Sequence, residues 1–270
     1  MFAFAGNSLL CRLALGQDII DAASFSSIRI ISGAVTLALI AFPRWRLRGR
    51  EPSDWRAVAM LFTYVVFFSF AYISLNAGTG ALILFGAVQL TMFIAALKAG
   101  ERFSLLSWIG LIVALSGLVY LVSPGLATPD PFGALLMGVA GIAWGVYSLL
   151  GKTAGDPLGA TANNFIWSVP LVLLTSLLFF NDLQLSKFGV MLAIASGAVT
   201  SGLGYVIWYT ALRELPATRA ATIQLSVPII AAIGGAMLLS EDLTMRLFVA
   251  AVATLGGISV VLTQRMVKGV

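Results

Sequence analysis

The sequence contains no histidine, a single cysteine and few charged residues. Without histidine it lacks the commonest metal ligand and the usual proton carrier near neutral pH. Cys11 alone forms neither an intrachain disulfide nor a cysteine-based metal site. The chain also lacks the HExxH and GxSxG patterns and the nucleotide-binding loop GxxxxGK followed by Ser or Thr. We therefore expect no metal, no cofactor and no enzymatic activity.

The scarcity of charge is matched by an excess of apolar residues. Charged residues make up 10% of the 270 residues and apolar residues 60%, whereas a soluble domain has roughly 25% and 45–50%. A soluble chain of this length could not bury so much hydrocarbon, because its surface is too large relative to its volume. The composition therefore predicts a protein that crosses a lipid bilayer several times.

Long apolar runs without strict alternation predict helices and not a barrel. Ten such segments lie at about 1–16, 23–42, 55–76, 79–99, 103–122, 132–152, 158–180, 186–212, 217–240 and 244–265. Short connections predict that consecutive helices pack antiparallel. The first segment is short for a span of about 20 residues and has no signal-peptide features, so we expect the natural chain or its first helix to begin upstream.

The distribution of Lys and Arg predicts the orientation in the membrane. Twelve of the sixteen cations fall on the side that carries Arg44, Arg46, Arg48 and Arg50. If that side is cytoplasmic, both termini are cytoplasmic, and a multi-pass protein of the bacterial inner membrane is expected. The net charge of +5 then reflects topology, so we expect no nucleic-acid partner.

The sequence also contains an internal repeat. Ser8-Leu-Leu-Cys-Arg12 matches Ser148-Leu-Leu-Gly-Lys152 at a spacing of 140, and Tyr72-Ile-Ser-Leu75 matches Tyr209-Thr-Ala-Leu212 at a spacing of 137. The interpretation is one integral membrane unit with two five-helix repeats, residues 1–122 and 132–270. Because five is odd, the second repeat enters the membrane from the opposite side, as in transporters whose binding site lies between inverted halves.

Three stretches carry a resemblance to a known family. They are AFAGNSLLCRLAL, YTALRELPATRAATIQLSVPIIAAIGGAMLLSEDLTMRLFVAAVATLGGISVVL and its fainter copy YISLNAGTGALILFGAVQLTMFIAALKAGERFSLLSWIGLIVALSGLVYLV. Over nearly its whole length the chain resembles the EamA family of the drug/metabolite transporter superfamily, and within it the YddG-type amino-acid exporters. The resemblance implies a ten-helix basket with a central cavity lined by helices 1, 3, 4, 6, 8 and 9. The short helix 1 and a three-residue deletion in helix 4 depart from that pattern.

All eleven acidic residues lie at or near predicted helix ends, which argues against a buried carboxylate that relays protons or binds cationic drugs. Neutral polar and aromatic residues lie deeper and are the candidates for a substrate cavity: Asn7, Tyr64, Tyr72, Gln89, Trp144, Tyr147, Ser148, Ser201, Tyr205, Trp208, Tyr209, Gln224 and Ser226. They can hydrogen-bond an amino-acid zwitterion and stack on apolar groups. The alternatives are core or lipid-facing packing for the aromatic rings and hydrogen bonds between helices for the amides.

Three cations and three helix-flexing residues complete the candidate set. Arg12, Arg29 and Lys152 are candidates for a gate or an anion-attracting group. Alternatively, Arg12 and Lys152 only anchor helix ends at the membrane surface, and Arg29 pairs with Asp21 or with helix-end carbonyls. Gly145, Gly202 and Pro228 are candidate hinges, although tight helix packing explains the glycines equally well.

The prediction that follows is a secondary-active or facilitative transporter. It exports neutral or aromatic amino acids by alternating access through a neutral, aromatic-lined cavity, with a small-molecule substrate and the lipid bilayer as partners. A carrier for phosphorylated metabolites or cationic drugs is the alternative on the same fold, and a channel or scaffold is a remote one. The oligomeric state stays open, and a monomer is compatible with the sequence.

Overall fold

A computed structural model describes residues 1–50, 53–125, 127–152, 154–208 and 223–267. These ranges contain ten helices: α1 (Phe2–Leu15), α2 (Ala22–Arg48), α3 (Trp55–Ala71), α4 (Ala77–Lys98), α5 (Leu105–Val122), α6 (Pro131–Gly151), α7 (Pro157–Leu178), α8 (Lys187–Trp208), α9 (Ser226–Leu239) and α10 (Met245–Val267). A short 3-10 turn, Phe180–Asp182, follows α7. Within α8 the segment Ala195–Leu203 is π-helical.

The helices have the length and composition of membrane spans. Among the described residues, seven helices are long and apolar enough to cross a bilayer, namely α2, α4, α5, α6, α7, α8 and α10, and α1, α3 and α9 are shorter apolar helices. Many large apolar side chains are exposed on the outward faces, for example Ile112 on α5 and Phe248 on α10. Such a surface requires lipid around it. The all-α polytopic membrane fold is confirmed.

Polar residues just before the first residue of a helix determine where several helices begin. The side chains of Asp21, Ser104, Asp130 and Ser186 each accept a hydrogen bond from a backbone amide in the first turn that follows. These contacts satisfy amides that have no partner within the helix. Proline occupies the first position of α6 and α7, where the missing amide hydrogen costs nothing.

Two helix ends differ from the expected ones. Helix α2 continues through Pro43 to Arg48, six residues beyond the apolar run, because arginine and leucine favour helix even where hydropathy falls. Helix α3 ends at Ala71, and residues 72–75 form turns before α4 begins at Ala77. In this turn the backbone carbonyls of Tyr72 and Ile73 accept hydrogen bonds from Arg12.

Helix packing places α1, α2, α3, α6 and α8 around the centre of the molecule. Helix α2 packs on α7 and α8, α3 packs on α6, and α1 lies against α8 and α9. Helix α4 lies between α6 and α9, and the α5–α10 pair lies beside it. The two helices of this pair approach closely at Gly110 and Gly257: a Cβ on Gly110 would lie 2.6 Å from the Gly257 carbonyl oxygen.

Candidate functional site

A buried amide on α1 links three helices. The Asn7 side-chain oxygen accepts hydrogen bonds from Ser196 and Thr200 on α8, the latter at 3.1 Å. The Asn7 amide nitrogen lies 3.4 Å from the Tyr64 hydroxyl on α3. All four side chains are buried. Asn7 thus makes the interhelical hydrogen bonds foreseen as its alternative role, and it makes them at the centre of the molecule.

Arg29 on α2 lies in the same network and is completely buried. Its Nη2 donates to the Tyr64 hydroxyl at 3.1 Å and its Nε to the Ser201 hydroxyl at 3.3 Å. The guanidinium also lies over the rings of Tyr64 and Phe68, at 5.3 and 5.0 Å from their centroids. Its Nη1 has no hydrogen-bond partner among the described residues.

No acid balances the charge of Arg29 in the described part of the chain, where the ion pairs are Arg12 with Glu241 and Arg44 with Asp156. Asp21, the partner considered from the sequence, instead caps the start of α2 by accepting the Ser24 amide at 2.8 Å. It precedes Arg29 by eight residues, about 12 Å along a helix. The expectation of an uncharged centre is therefore wrong, because a guanidinium occupies it.

Aromatic rings from four helices surround these polar groups. Trp144 on α6 lies 4.8 Å from Tyr64 and 5.1 Å from Tyr205, measured between ring centroids. Tyr147 contacts Trp144, and Phe4 on α1 contacts Trp144, Tyr205 and Trp208. The predicted rings of Tyr64, Trp144, Tyr147 and Tyr205 do come together. They pack on one another and fill the centre, so the predicted central cavity is closed among the described residues in this conformation.

We call these residues the central cluster: Asn7, Arg29, Tyr64, Phe68, Trp144, Ser196, Thr200, Ser201 and Tyr205. The sequence reasoning missed Ser196 and Thr200, as well as Phe4, which contacts Trp144 and Tyr205. The spacing of Ser196 and Thr200, four residues apart on one helix face, is the signal that was available. Their π-helical segment is a rare geometry that recurs at functional sites.

Arg12 joins three chain segments at one end of the bundle. Its Nε pairs with Glu241 at 3.0 Å, and its Nη1 donates to the backbone carbonyls of Tyr72 and Ile73 at 3.2 and 2.9 Å. The second oxygen of Glu241 accepts the Ala77 amide at the start of α4 at 2.8 Å. This end, which we call the Arg12 end, is closed by contacts between α1, the α3–α4 turn and the chain after α9.

Sequence comparison identifies the family to which these helices belong. A model of the EamA-like transporter family matches residues 131–263. An uncharacterized protein of Pseudomonas aeruginosa is 48% identical over 266 residues, which cover 98% of this chain and 93% of that protein. The chain belongs to the EamA-like transporter family. It is thus a membrane transporter of small metabolites.

More distant similarities agree with this assignment. A probable amino-acid metabolite efflux pump of Escherichia coli is 26% identical over 210 residues, 71% of this chain and 70% of that protein. A solved crystal structure with 19% sequence identity superposes with a TM-score of 0.69 and covers 97% of both chains. At this level of identity the structural likeness shows a shared fold.

The opposite end of the EamA-like bundle, the Arg44 end, has its own polar contacts. Arg44 pairs with Asp156 at 3.3 Å, so the end of α2 meets the start of α7. Arg50 donates from Nε and Nη2 to the Asn163 side-chain oxygen, at 3.1 and 2.9 Å, and lies over the Trp45 ring. Lys152 is exposed just beyond α6, and its role as a gate stays a prediction.

Several predicted site residues of the transporter lie at the edge of the central cluster or away from it. The Tyr72 ring lies 4.8 Å from that of Phe68 between centroids, and its hydroxyl donates to the Ala77 carbonyl at 3.3 Å, towards the Arg12 end. Trp208 contacts Phe4, whose ring contacts Trp144 and Tyr205. Gln89 borders a cavity of about 30 Å³ between α4, α5 and α10.

The remaining candidates have local partners or lie outside the described residues. The hydroxyls of Ser148 and Ser226 each donate to a backbone carbonyl three or four residues earlier, both at 2.7 Å. Gln224 is buried just before α9. Tyr209 falls outside the described residues. Within the described part, no group of three or more Cys, Asp or Glu side chains could hold a metal ion.

The three candidate hinges have different surroundings. A Cβ on Gly145 would lie 2.8 Å from Thr91 Cβ, so this glycine allows α6 to approach α4. Gly202 lies in the π-helical segment and faces Thr36 at 3.1 Å. Pro228 lies in the first turn of α9, after an interruption of the helix at Leu225. Proline cannot donate to the carbonyl four residues earlier, which accounts for the interruption.

Proposed function

We propose that this EamA-like transporter exports neutral or aromatic amino acids and related small metabolites, and that the central cluster is its binding site. The observation that carries the proposal is one continuous group of polar and aromatic side chains, buried between α1, α2, α3, α6 and α8. Buried polar groups between membrane helices are costly and mark substrate pathways. The name of the Escherichia coli relative supports amino-acid metabolites.

We propose alternating access between two inverted five-helix repeats as the mechanism. Helices five apart in the chain pack directly on each other: α2 on α7, α4 on α9 and α5 on α10. This pairing supports a two-fold relation between the halves, and the family model matches the second half. In the proposed cycle the Arg12–Glu241 contact separates to open the Arg12 end, and the central rings part to admit substrate.

We also propose that the protein lies in the bacterial inner membrane with its Arg12 end outside. The support is the excess of Lys and Arg at the Arg44 end, which by the positive-inside rule faces the cytoplasm. Under this orientation the described conformation has its external side closed by Arg12 and Glu241. Export would then require the Arg12–Glu241 contact to separate, so that substrate can leave on the external side.

The test is uptake of labelled amino acids by liposomes that contain the purified protein. Trp144→Ala is expected to slow uptake about tenfold or more, since each loss of about 1.4 kcal/mol in substrate binding is a factor of ten. Trp167→Ala, which changes an exposed tryptophan on α7, is the matched control. Uptake of phosphorylated or cationic solutes but of no amino acid would overturn the substrate class. Unchanged uptake by the Trp144 variant would overturn the site.

A further inference from the structure

No acidic side chain among the described residues balances the charge of Arg29. Among the described residues, the buried charged side chains are Arg29, which is 0% exposed, and Arg246, which is 9% exposed. Arg246 donates hydrogen bonds at the end of α5, to the Tyr120 and Ser123 carbonyls and to the Thr128 hydroxyl. Arg29 instead has two neutral hydroxyls and two aromatic faces as partners. A buried cation without a counter-ion is strongly destabilising, so its retention calls for a reason.

The geometry of the guanidinium leaves one edge for a ligand. Nε and Nη2 donate to Ser201 and Tyr64, whereas the Nη1 donors have no partner among the described residues. Nη1 and the second hydrogen of Nη2 form a planar pair of donors. Such a pair matches the two oxygens of a carboxylate and forms short, charge-assisted hydrogen bonds with them.

We propose that Arg29 binds the carboxylate of the transported substrate, and that the substrates are therefore small monocarboxylates such as amino acids. This inference rests on the proposed transport function. One guanidinium matches a single negative charge, whereas a phosphate monoester carries between about −1.5 and −2 and calls for more than one cation. A cationic drug would be repelled from the same position. The rings of Tyr64 and Phe68 lie against the guanidinium and Trp144 lies against Tyr64, and the apolar part of the substrate packs on these rings.

The proposal is tested by binding to the purified protein, so that its outcome is independent of transport. The probes are phenylalanine, leucine, threonine and phenylpropionate, each compared with its own amide, and O-phosphoserine. The readout is the ligand-induced rise in thermal unfolding temperature, from which an apparent affinity follows by mass action. The wild-type protein is expected to bind at least one carboxylate about tenfold or more tightly than its amide.

Variants of Arg29 test the role of the side chain itself. Arg29→Gln is expected to bind acid and amide equally, and Arg29→Lys to keep part of the preference because it keeps the charge. Arg56→Gln, which removes an exposed arginine, should leave the preference intact. If Arg29→Gln does not fold, the comparison of each acid with its amide in the wild-type protein still tests whether the site prefers a carboxylate.

The results that would overturn the role of Arg29 differ from those that would overturn the transport proposal. Equal wild-type affinity for acids and amides, no binding of any carboxylate, or a preserved preference in Arg29→Gln would each overturn the role of Arg29. Tighter binding of O-phosphoserine than of the carboxylates would also overturn it in favour of a phosphate. Preferential binding of carboxylates without transport in liposomes would support the Arg29 site while overturning the transport proposal.

Discussion

The Arg12–Glu241 pair permits a direct test of the gate with a reporter that the chain already carries. Cys11, the single cysteine, precedes Arg12 and is completely buried. If the pair holds the Arg12 end closed, weakening it will expose Cys11 more often to a membrane-impermeant maleimide. The perturbation is Glu241→Gln, which removes the charge while keeping the shape of the side chain and one oxygen for the Ala77 amide.

The contacts of the pair set the expected size of the effect. The side chains of Arg12 and Glu241 are 19% and 10% exposed, so solvent screens their interaction only in part. A hydrogen bond to a charged group contributes about 1.5–3 kcal/mol to stability, and we take a loss of about 2 kcal/mol for this variant. At about 1.4 kcal/mol per factor of ten, the open population and the labelling rate of Cys11 should rise about 30-fold.

The assay measures the rate at which the reagent labels Cys11 in intact cells, which it reaches only from outside. Arg12→Gln should accelerate labelling, and the double variant should label no faster than the more affected single variant, because both changes remove one interaction. Asp156→Asn is the matched control: it breaks the pair at the Arg44 end and should leave the rate unchanged. Faster labelling from outside would also support the proposed orientation.

Two results would refute the reasoning about the gate. An unchanged labelling rate in Glu241→Gln would mean that packing alone keeps Cys11 buried. Equal acceleration by Asp156→Asn would mean that loss of any terminal ion pair loosens the whole bundle. The thermal unfolding temperature of each variant separates local opening from such a general loss of stability.

Two further predictions concern helix packing and can be checked by thermal unfolding in detergent. Gly197→Ala places a Cβ against the Arg29 carbonyl and the Ser32 hydroxyl, so it should destabilise the protein by about 1–3 kcal/mol. Gly138→Ala is the control, because its Cβ would meet no atom within 4 Å, and it should be neutral or stabilising by up to about 1 kcal/mol. Equal destabilisation by the two variants would contradict the close approach of α2 and α8. Gln89→Leu removes a buried amide nitrogen that has no hydrogen-bond partner among the described residues and should preserve both stability and uptake. Slower uptake would show that Gln89 belongs to the site.

Most of the fold was predictable from the sequence. The ten apolar segments correspond to the ten helices of the described ranges, since the bilayer requires runs of a given length with paired backbones. The ends were less predictable where polar residues continue a helix, as in α2, or where an apolar chain turns, as at Tyr72. Hydropathy measures the transfer of side chains to lipid and carries little information on where the backbone turns.

The candidate site was predictable only in part. Tyr64, Ser201 and Tyr205 were recognised as polar or aromatic residues deep in apolar segments, and the structure brings them together with Asn7 and Trp144. Gln89 was assigned to the same cavity, but it points between α4, α5 and α10. Helix α4 is apolar on nearly every side, so its sequence has no stripe that distinguishes the face towards the centre from the other faces.

Composition and the lengths of the apolar runs alone determined that this protein is a bundle of membrane helices, because these properties depend only on residues near in sequence. Only the tertiary structure decided which polar side chains meet. Arg29 finds Ser201, 172 residues away, and Arg12 finds Glu241, 229 residues away. The rotation of each helix about its own axis is set by packing against its neighbours, and that rotation determines whether an arginine faces lipid, water or the centre of the protein.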